Sequence, residues 1–243
     1  MLIFLKRNHP FKYLTNQKKT RLSGRSFGII VNRHRGSGVQ IKYRMIDFYR
    51  NLWNTCGLVL TIEYNPWAKK LLNLIFYFNG IFSYITHIRG IKIGSIIYAS
   101  HKTKIQPGNA LFIKYIPYGT FIHNLELYPK SGAKYGRSPG SYCKILNKYQ
   151  RFIKIKLKSG KKLFFLQTCL ATIGIISDFL YLYYLYKITA GYNRRVGWRP
   201  FVRGLAMNAV DHPNGGGKGK KAGKSISTSP WKKLPKGKKT KNK

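Results

Sequence analysis

The chain has 243 residues, with 46 Lys or Arg against 5 Asp or Glu and a formal net charge of +41; it can form one or two modest domains, and so large a charge repels itself in a compact state unless phosphates neutralise it. The five acids, Asp47, Glu63, Glu126, Asp178 and Asp211, are too scattered to suggest a general acid/base pair or a magnesium cage, which argues against an enzyme. Cys56, Cys143 and Cys169 are odd in number and lack C-x-x-C spacing, which argues against a zinc site or disulfide framework and for packed thiols in a reducing compartment.

Residues 1–26 alternate bulky apolar residues with Lys and Arg and read as a basic N-terminal extension, an amphipathic targeting helix being the alternative. From residue 27 the pattern changes to short apolar runs broken by glycine, at 27–31, 39–46, 57–64, 71–78, 82–88 and 95–98. Their β-branched and aromatic content suits strands, as in a small barrel or sandwich. Between the first two runs, Arg33-His34-Arg35-Gly36 forms a basic glycine-containing loop that can present amides and guanidinium groups to phosphate; a solvated hairpin is the alternative. Lys42 and Arg44 follow in the second run.

A second β-rich block starts after Pro107. In it, 151–158 alternates as a strand with Lys154, Lys156 and Lys158 on one face, and His123 reads as a satisfied turn histidine because no partner has metal spacing. The apolar stretches 71–88 and 163–186 approach membrane-spanning length, but Asn73, Asn79, Gly80 and Ser83 punctuate the first and Asp178 interrupts the second. Both are expected to be strand pairs and a buried turn. The aromatic run 179–186 would pack on a neighbouring protein or on the adjacent barrel, and 187–193 would form one or two helical turns.

The C-terminal region interleaves Arg194, Arg195, Arg199 and Arg203 with Trp198 and Phe201, a combination suited to phosphate pairing and base stacking on RNA. It leads into Met207-Asn208-Ala209-Val210-Asp211-His212-Pro213-Asn214-Gly215-Gly216-Gly217-Lys218, whose glycines cannot favour a helix or strand by themselves. A flexible glycine-lysine linker is the compositional alternative. From 218 to 243 there are lysines, including Lys220 and Lys224, and no acid, so the tail should be disordered without RNA. Trp231 there has no core of its own to enter.

The glycine segment resembles the signature of the large-subunit ribosomal protein two family, departing from it at Ala209, Asn214, Lys218 and Lys220. The resemblance extends to Arg33-His34-Arg35-Gly36, Tyr43-Arg44-Met45-Ile46-Asp47-Phe48, Arg137-Ser138-Pro139-Gly140 and 198–204, where Trp198 stands for arginine and Phe201 for threonine. It implies a mainly β chain: extension 1–26, an oligonucleotide-binding (OB) barrel at 27–104, an SH3-like barrel at 105–193, and a glycine- and lysine-rich extension at 194–243. It also implies a structural constituent of the large subunit that binds its rRNA, supports assembly of the peptidyl-transferase region and subunit association, and neighbours other ribosomal proteins and the small subunit.

The expected rRNA contacts are Arg33, His34, Arg35, Lys42, Arg44, Arg137, Arg194, Arg195, Arg199, Arg203, Asn208, His212, Asn214, Gly215, Gly216, Gly217, Lys218, Lys220, Lys224 and Trp231. No catalytic residue, metal or cofactor is expected, Mg²⁺ entering only with bound rRNA, and no membrane span. A basic membrane-associated protein and a cationic nucleic-acid enzyme are the competing classes. Abundant Lys, Ile, Phe, Tyr and Asn point to an A/T-rich coding sequence and so to a mitochondrial ribosome, with plastid or bacterial cytoplasm as alternatives.

Overall fold

The computed structural model describes residues 10–18, 24–36, 38–100, 103–178, 189–217, 227–234 and 236–237. They are mainly β and fall into two compact units, one of Met1–Thr20 with Val39–Tyr192 and one of Arg21–Gly38 with Asn193–Lys243. The aromatic run 179–186 and Lys218, Lys220 and Lys224 lie outside the described residues.

The strands are β1 (Thr15–Lys18), β2 (Arg25–Ser26), β3 (Ile29–Ile30), β4 (Ile41–Arg44), β5 (Thr55–Asn65), β6 (Lys70–Tyr77), β7 (Phe82–Thr86) and β8 (Ile96–Ala99). They continue as β9 (Ala110–Phe112), β10 (Phe121–His123), β11 (Leu125–Glu126), β12 (Ala133–Tyr135), β13 (Cys143–Lys148), β14 (Phe152–Leu157), β15 (Lys162–Leu166) and β16 (Leu170–Ile173). Ten of them form one sheet in the order β15-β14-β13-β10-β16-β9-β8-β5-β6-β7. Its two halves join through a single parallel pairing of Ala99 with Ala110, which Trp53 and Phe112 cover with rings 5.4 Å apart.

Each half has its own core. Val59, Ile75, Tyr77, Ile85 and Ile97 pack in the first, and Ile122, Ile145, Ile153, Ile155 and Phe165 in the second. Strand β14 alternates as its sequence predicts, with Ile153 and Ile155 buried and Lys156 exposed. The stretch 71–88 is the β6-β7 hairpin, and β6 is apolar on both sides because both are covered: Leu72 and Leu74 meet Phe11, Leu14 and Phe82 on the face away from Ile75. Phe11 and Leu14 fall within the predicted extension, yet they pack, and β1 pairs with β4.

Three other expectations are corrected. Residues 27–31 do not make one strand: Phe27 turns at φ 49° between β2 and β3, and Arg21–Gly38 groups with the C-terminal region rather than with the strands that follow it. Strands β15 and β16 are not paired with each other, since β14, β13 and β10 lie between them. The predicted helical turns at 187–193 are displaced to α1 (Tyr192–Val196). Among the described residues, no helix is long and apolar enough to cross a membrane.

Two histidines sit within the sheet. His123 is fully buried and donates from Nδ1 to Gly174 O at 2.9 Å, and His87 donates from Nδ1 to Asn73 Oδ1 at 2.7 Å. Burial pushes the pKa of each down to about 4, and the positive field of Arg50 and Lys70 adds to this at His123. A depressed folded pKa leaves stability intact above the ordinary value near 6.5 and removes it as pH falls toward 4, by roughly 3 kcal/mol for each group. Urea unfolding should therefore show a marked loss of stability between pH 7 and pH 4.5 that is shallower in His123→Gln; equal slopes would contradict this.

Candidate nucleic-acid interface

In the second unit the two basic motifs, which are 166 positions apart at the His34–Pro200 contact, form one clasp. Arg35 bridges Trp198 in antiparallel fashion, Gly36 N donates to Gly197 O at 2.8 Å, and Arg199 N donates to His34 O at 3.1 Å. The side chains follow the backbone: the Arg35 guanidinium lies 4.0 Å from the Trp198 ring centre, and the His34 and Phe201 rings are 4.5 Å apart. Trp198 and Phe201 are thus what the loop stacks on. Arg194, Arg195, Arg199 and Arg203 are exposed around this clasp, and Arg33 is half-buried. A guanidinium cannot lose its proton near neutral pH and matches phosphate with paired donors.

The glycine segment closes on itself instead of running extended. Gly204–Ala206 makes one 3₁₀ turn, Asn208 O accepts from Asp211 N and His212 N, and Met207 O accepts from Gly216 N at 3.0 Å. His212 is only 8% exposed; its ring lies against Gly204, and its Nδ1 accepts the N–H of Asn214 at 3.0 Å. Asn214 Oδ1 in turn accepts from the Thr228 hydroxyl at 2.6 Å. With His212 and Gly215 inside, Asn208, Ala209, Val210 and Asp211 project outward, Val210 at 97% exposure. Gly216 and Gly217 take φ of 76° and 127°, values that side chains resist. Trp231, 67% exposed, rides a short turn in which Ser229 N donates to Lys233 O at 2.8 Å.

The first unit holds a separate basic and aromatic cleft of about 530 Å³. Arg137 lies over the Phe48 ring at 4.2 Å, Lys70 Nζ donates to Arg137 O at 3.1 Å, and Tyr43 and Trp67 meet edge to face at 6.1 Å. Burial, assisted by Arg137, pulls the Lys70 pKa down to about 8. Lys42 is exposed on β4.

Arg44 is a correction. Although it shares β4 with Lys42, it is 3% exposed, and its Nε donates to Glu63 Oε2 at 3.1 Å. The same oxygen accepts from Tyr84 OH at 2.9 Å, and the Tyr84 hydroxyl oxygen in turn accepts from Phe11 N. Burial raises the Tyr84 pKa to about 12. No face of Arg44 is left for a phosphate; it ties β4 to β5 through Glu63.

Two other acids, Glu126 and Asp47, are also engaged. Glu126, 3% exposed, accepts the main-chain N–H groups of Lys130, Gly132 and Leu170, and Asp47 accepts those of Tyr49 and Arg50. Burial pushes the Cys143 and Cys169 thiols up to about 11.

Residues 12–99 match the family described as Ribosomal Proteins L2, RNA binding N-terminal domain, and residues 106–232 match Ribosomal Proteins L2, C-terminal domain. The chain belongs to the ribosomal protein L2 family. A relative from Hyphomonas neptunium, named large ribosomal subunit protein uL2, is 40% identical over 98% of this chain and 86% of its own length. Its namesake from Wolbachia pipientis wMel is 42% identical over 97% and 86%, and large ribosomal subunit protein uL2c of Psilotum nudum is 41% identical over 91% and 80%.

Against that L2 background, the described residues bring Arg33, His34, Arg35, Arg194, Arg195, Arg199 and Arg203 into one unit with Asn208 and Gly216, while Arg137 and Lys42 belong to the other. His212 turns inward as a loop-holding residue. The sequence reading missed Trp67, Lys70 and Phe48 beside Arg137; the available signal was an aromatic next to Pro66 in a lysine-containing run.

Proposed function

We propose that this L2-family chain is a structural constituent of the large ribosomal subunit, binding large-subunit rRNA through the arginine clasp, the outward edge of the glycine loop and the Arg137 cleft. The observation that carries the reading is the joining of Arg33-His34-Arg35-Gly36 to the strip 197–201. Two short motifs that cannot order themselves become one cationic surface, which phosphate can order further. The strands from 39 to 104 are read as an OB barrel and 105–193 as an SH3-like barrel. In that role the chain supports assembly of the peptidyl-transferase region and subunit association, with the small subunit and other ribosomal proteins as neighbours. The A/T-favoured composition supports a place in the mitochondrial ribosome; fractionation with plastid or cytosolic ribosomes would overturn that reading.

The role is positioning, not catalysis. His212 has one ring nitrogen engaged by Asn214 N and its ring against Gly204, so it is set to hold a loop shape rather than to exchange protons with a substrate. Large particles that incorporate His212→Ala should retain peptide-bond formation within a few-fold. A loss on the order of a hundredfold in intact particles would indicate a missing general base and contradict the reading.

A further inference from the structure

Among the described residues, one end of the ten-stranded sheet is closed and the other is open. At the β7 end, Ile46 bridges Tyr84 and Asp47 N donates to Tyr84 O at 2.8 Å, so that edge is covered. At the other end, among the described residues, β15 pairs only with β14. The ladder register fixes what β15 presents. Leu157 N donates to Lys161 O at 2.9 Å and Gln167 N donates to Arg151 O at 3.3 Å. Hydrogen-bonded and non-bonded pairs alternate in an antiparallel ladder, so Leu163 and Phe165 bond inward to Ile155 and Ile153. The N–H and C=O groups of Lys162 and Phe164, and the N–H of Leu166, therefore point away from the sheet.

The side chains on the adjoining face are apolar where an edge is ordinarily guarded by charge. Phe164 is 60% exposed, Phe152 45%, Leu166 37% and Tyr149 48%. They form a contiguous patch: Phe152 pairs with Leu166 across the ladder, and the Tyr149 and Phe164 rings are 5.9 Å apart. Lys154 Nζ lies 5.7 Å from the Phe164 ring centre, and Lys156 and Lys162 face each other next along the same side. No acid lies on these two strands.

We propose that β15 and this face dock an extended segment of a neighbouring protein, which adds as a further strand and carries apolar side chains at alternate positions with at least one carboxylate opposite Lys154, Lys156 or Lys162. A strand satisfies both the outward N–H and C=O groups, and alternate side chains reach one face, which together define strand addition as a mode of recognition. A phosphate accepts hydrogen bonds but donates none to the outward carbonyls, and Leu166 offers nothing to a base that a protein side chain would not fill better. The lysines and the absence of acids select an acidic complement. This surface is distinct from the RNA contacts proposed above and makes the chain a protein-assembly site as well.

The test uses the full chain in purified large particles, with the photo-cross-linker p-benzoylphenylalanine in place of Phe164. The expected product is a protein cross-link mapping to one extended, acid-bearing segment with alternating apolar residues. A second variant, Phe164→Lys with Leu166→Lys, should lower retention of that neighbour after a salt wash by about tenfold or more, the scale of a central contact, with rRNA content unchanged. Cross-links to rRNA, to residues 179–186 of the same chain or to no partner would overturn the proposal. So would a neighbour retained equally by the double variant.

Discussion

Large particles assembled in the presence of Gly215→Ala are expected to hold at least about tenfold less of the chain than particles assembled with Lys233→Ala, because a severe steric conflict is set against one screened charge. A Cβ at Gly215 would run into the main-chain oxygens of Asn208 and Met207. Those oxygens accept the hydrogen bonds of Asp211, His212 and Gly216, so neither can move aside without opening the loop. Gly216, at the centre of the triplet, is the natural first choice from sequence. Its added Cβ would come nearest the Ala209 side chain, at 3.0 Å, and its sensitivity comes from the φ of 76°. Gly216→Val should thus be harmful through backbone conformation and Gly215→Ala through collision. Urea unfolding of the sheet should be unchanged in both, since Gly215 and Gly216 belong to the other unit. Wild-type incorporation of Gly215→Ala would remove the closed loop from the account.

Arg44→Ala is expected to fail as a folded protein before it fails as an RNA binder. It strands the Glu63 carboxylate, 1% exposed, with only Tyr84 OH and a long contact from the Thr61 hydroxyl. Removing one member of a buried ion pair costs about 3–5 kcal/mol, and a domain has only about 5–15 kcal/mol in total. The double variant Arg44→Met with Glu63→Leu should recover most of that loss, giving a coupling of over about 1 kcal/mol in a double-mutant cycle. RNA affinity of the recovered variant should stay near wild type. The opposite pattern, intact folding with RNA binding lost in Arg44→Ala, would return Arg44 to the RNA surface.

The same residues show what the sequence made legible. The hairpin at 71–88 was readable because Asn79-Gly80 interrupts two β-rich runs, and β14 because lysine and isoleucine alternate. Arg44 was not readable as buried, since a strand of two-residue period gives it the same side as exposed Lys42. The hint was Glu63: with 46 cations and 5 acids, a carboxylate inside an apolar run needs a partner, but no spacing rule names one 19 positions away. The clasp was legible as two basic motifs and not as one surface, because Arg35 and Trp198 meet only through tertiary structure. His212 carries the clearest lesson. A histidine in a polar, glycine-rich segment resembles a ligand-facing group, and only the space beside Gly204 shows that its ring has a place inside.

The most direct measurement places a cleaving probe on the glycine loop inside the particle. Val210 is 97% exposed and makes a suitable Val210→Cys attachment point for an iron-EDTA reagent in a Cys56→Ser background, Cys143 and Cys169 being buried. Hydroxyl radicals released there should cut the large-subunit rRNA backbone at a few clustered positions, and His212→Ala should blur that pattern in the particles that still assemble. A large particle whose rRNA is uncut, or cuts confined to small-subunit rRNA, would contradict the claim that this loop holds the chain on large-subunit rRNA.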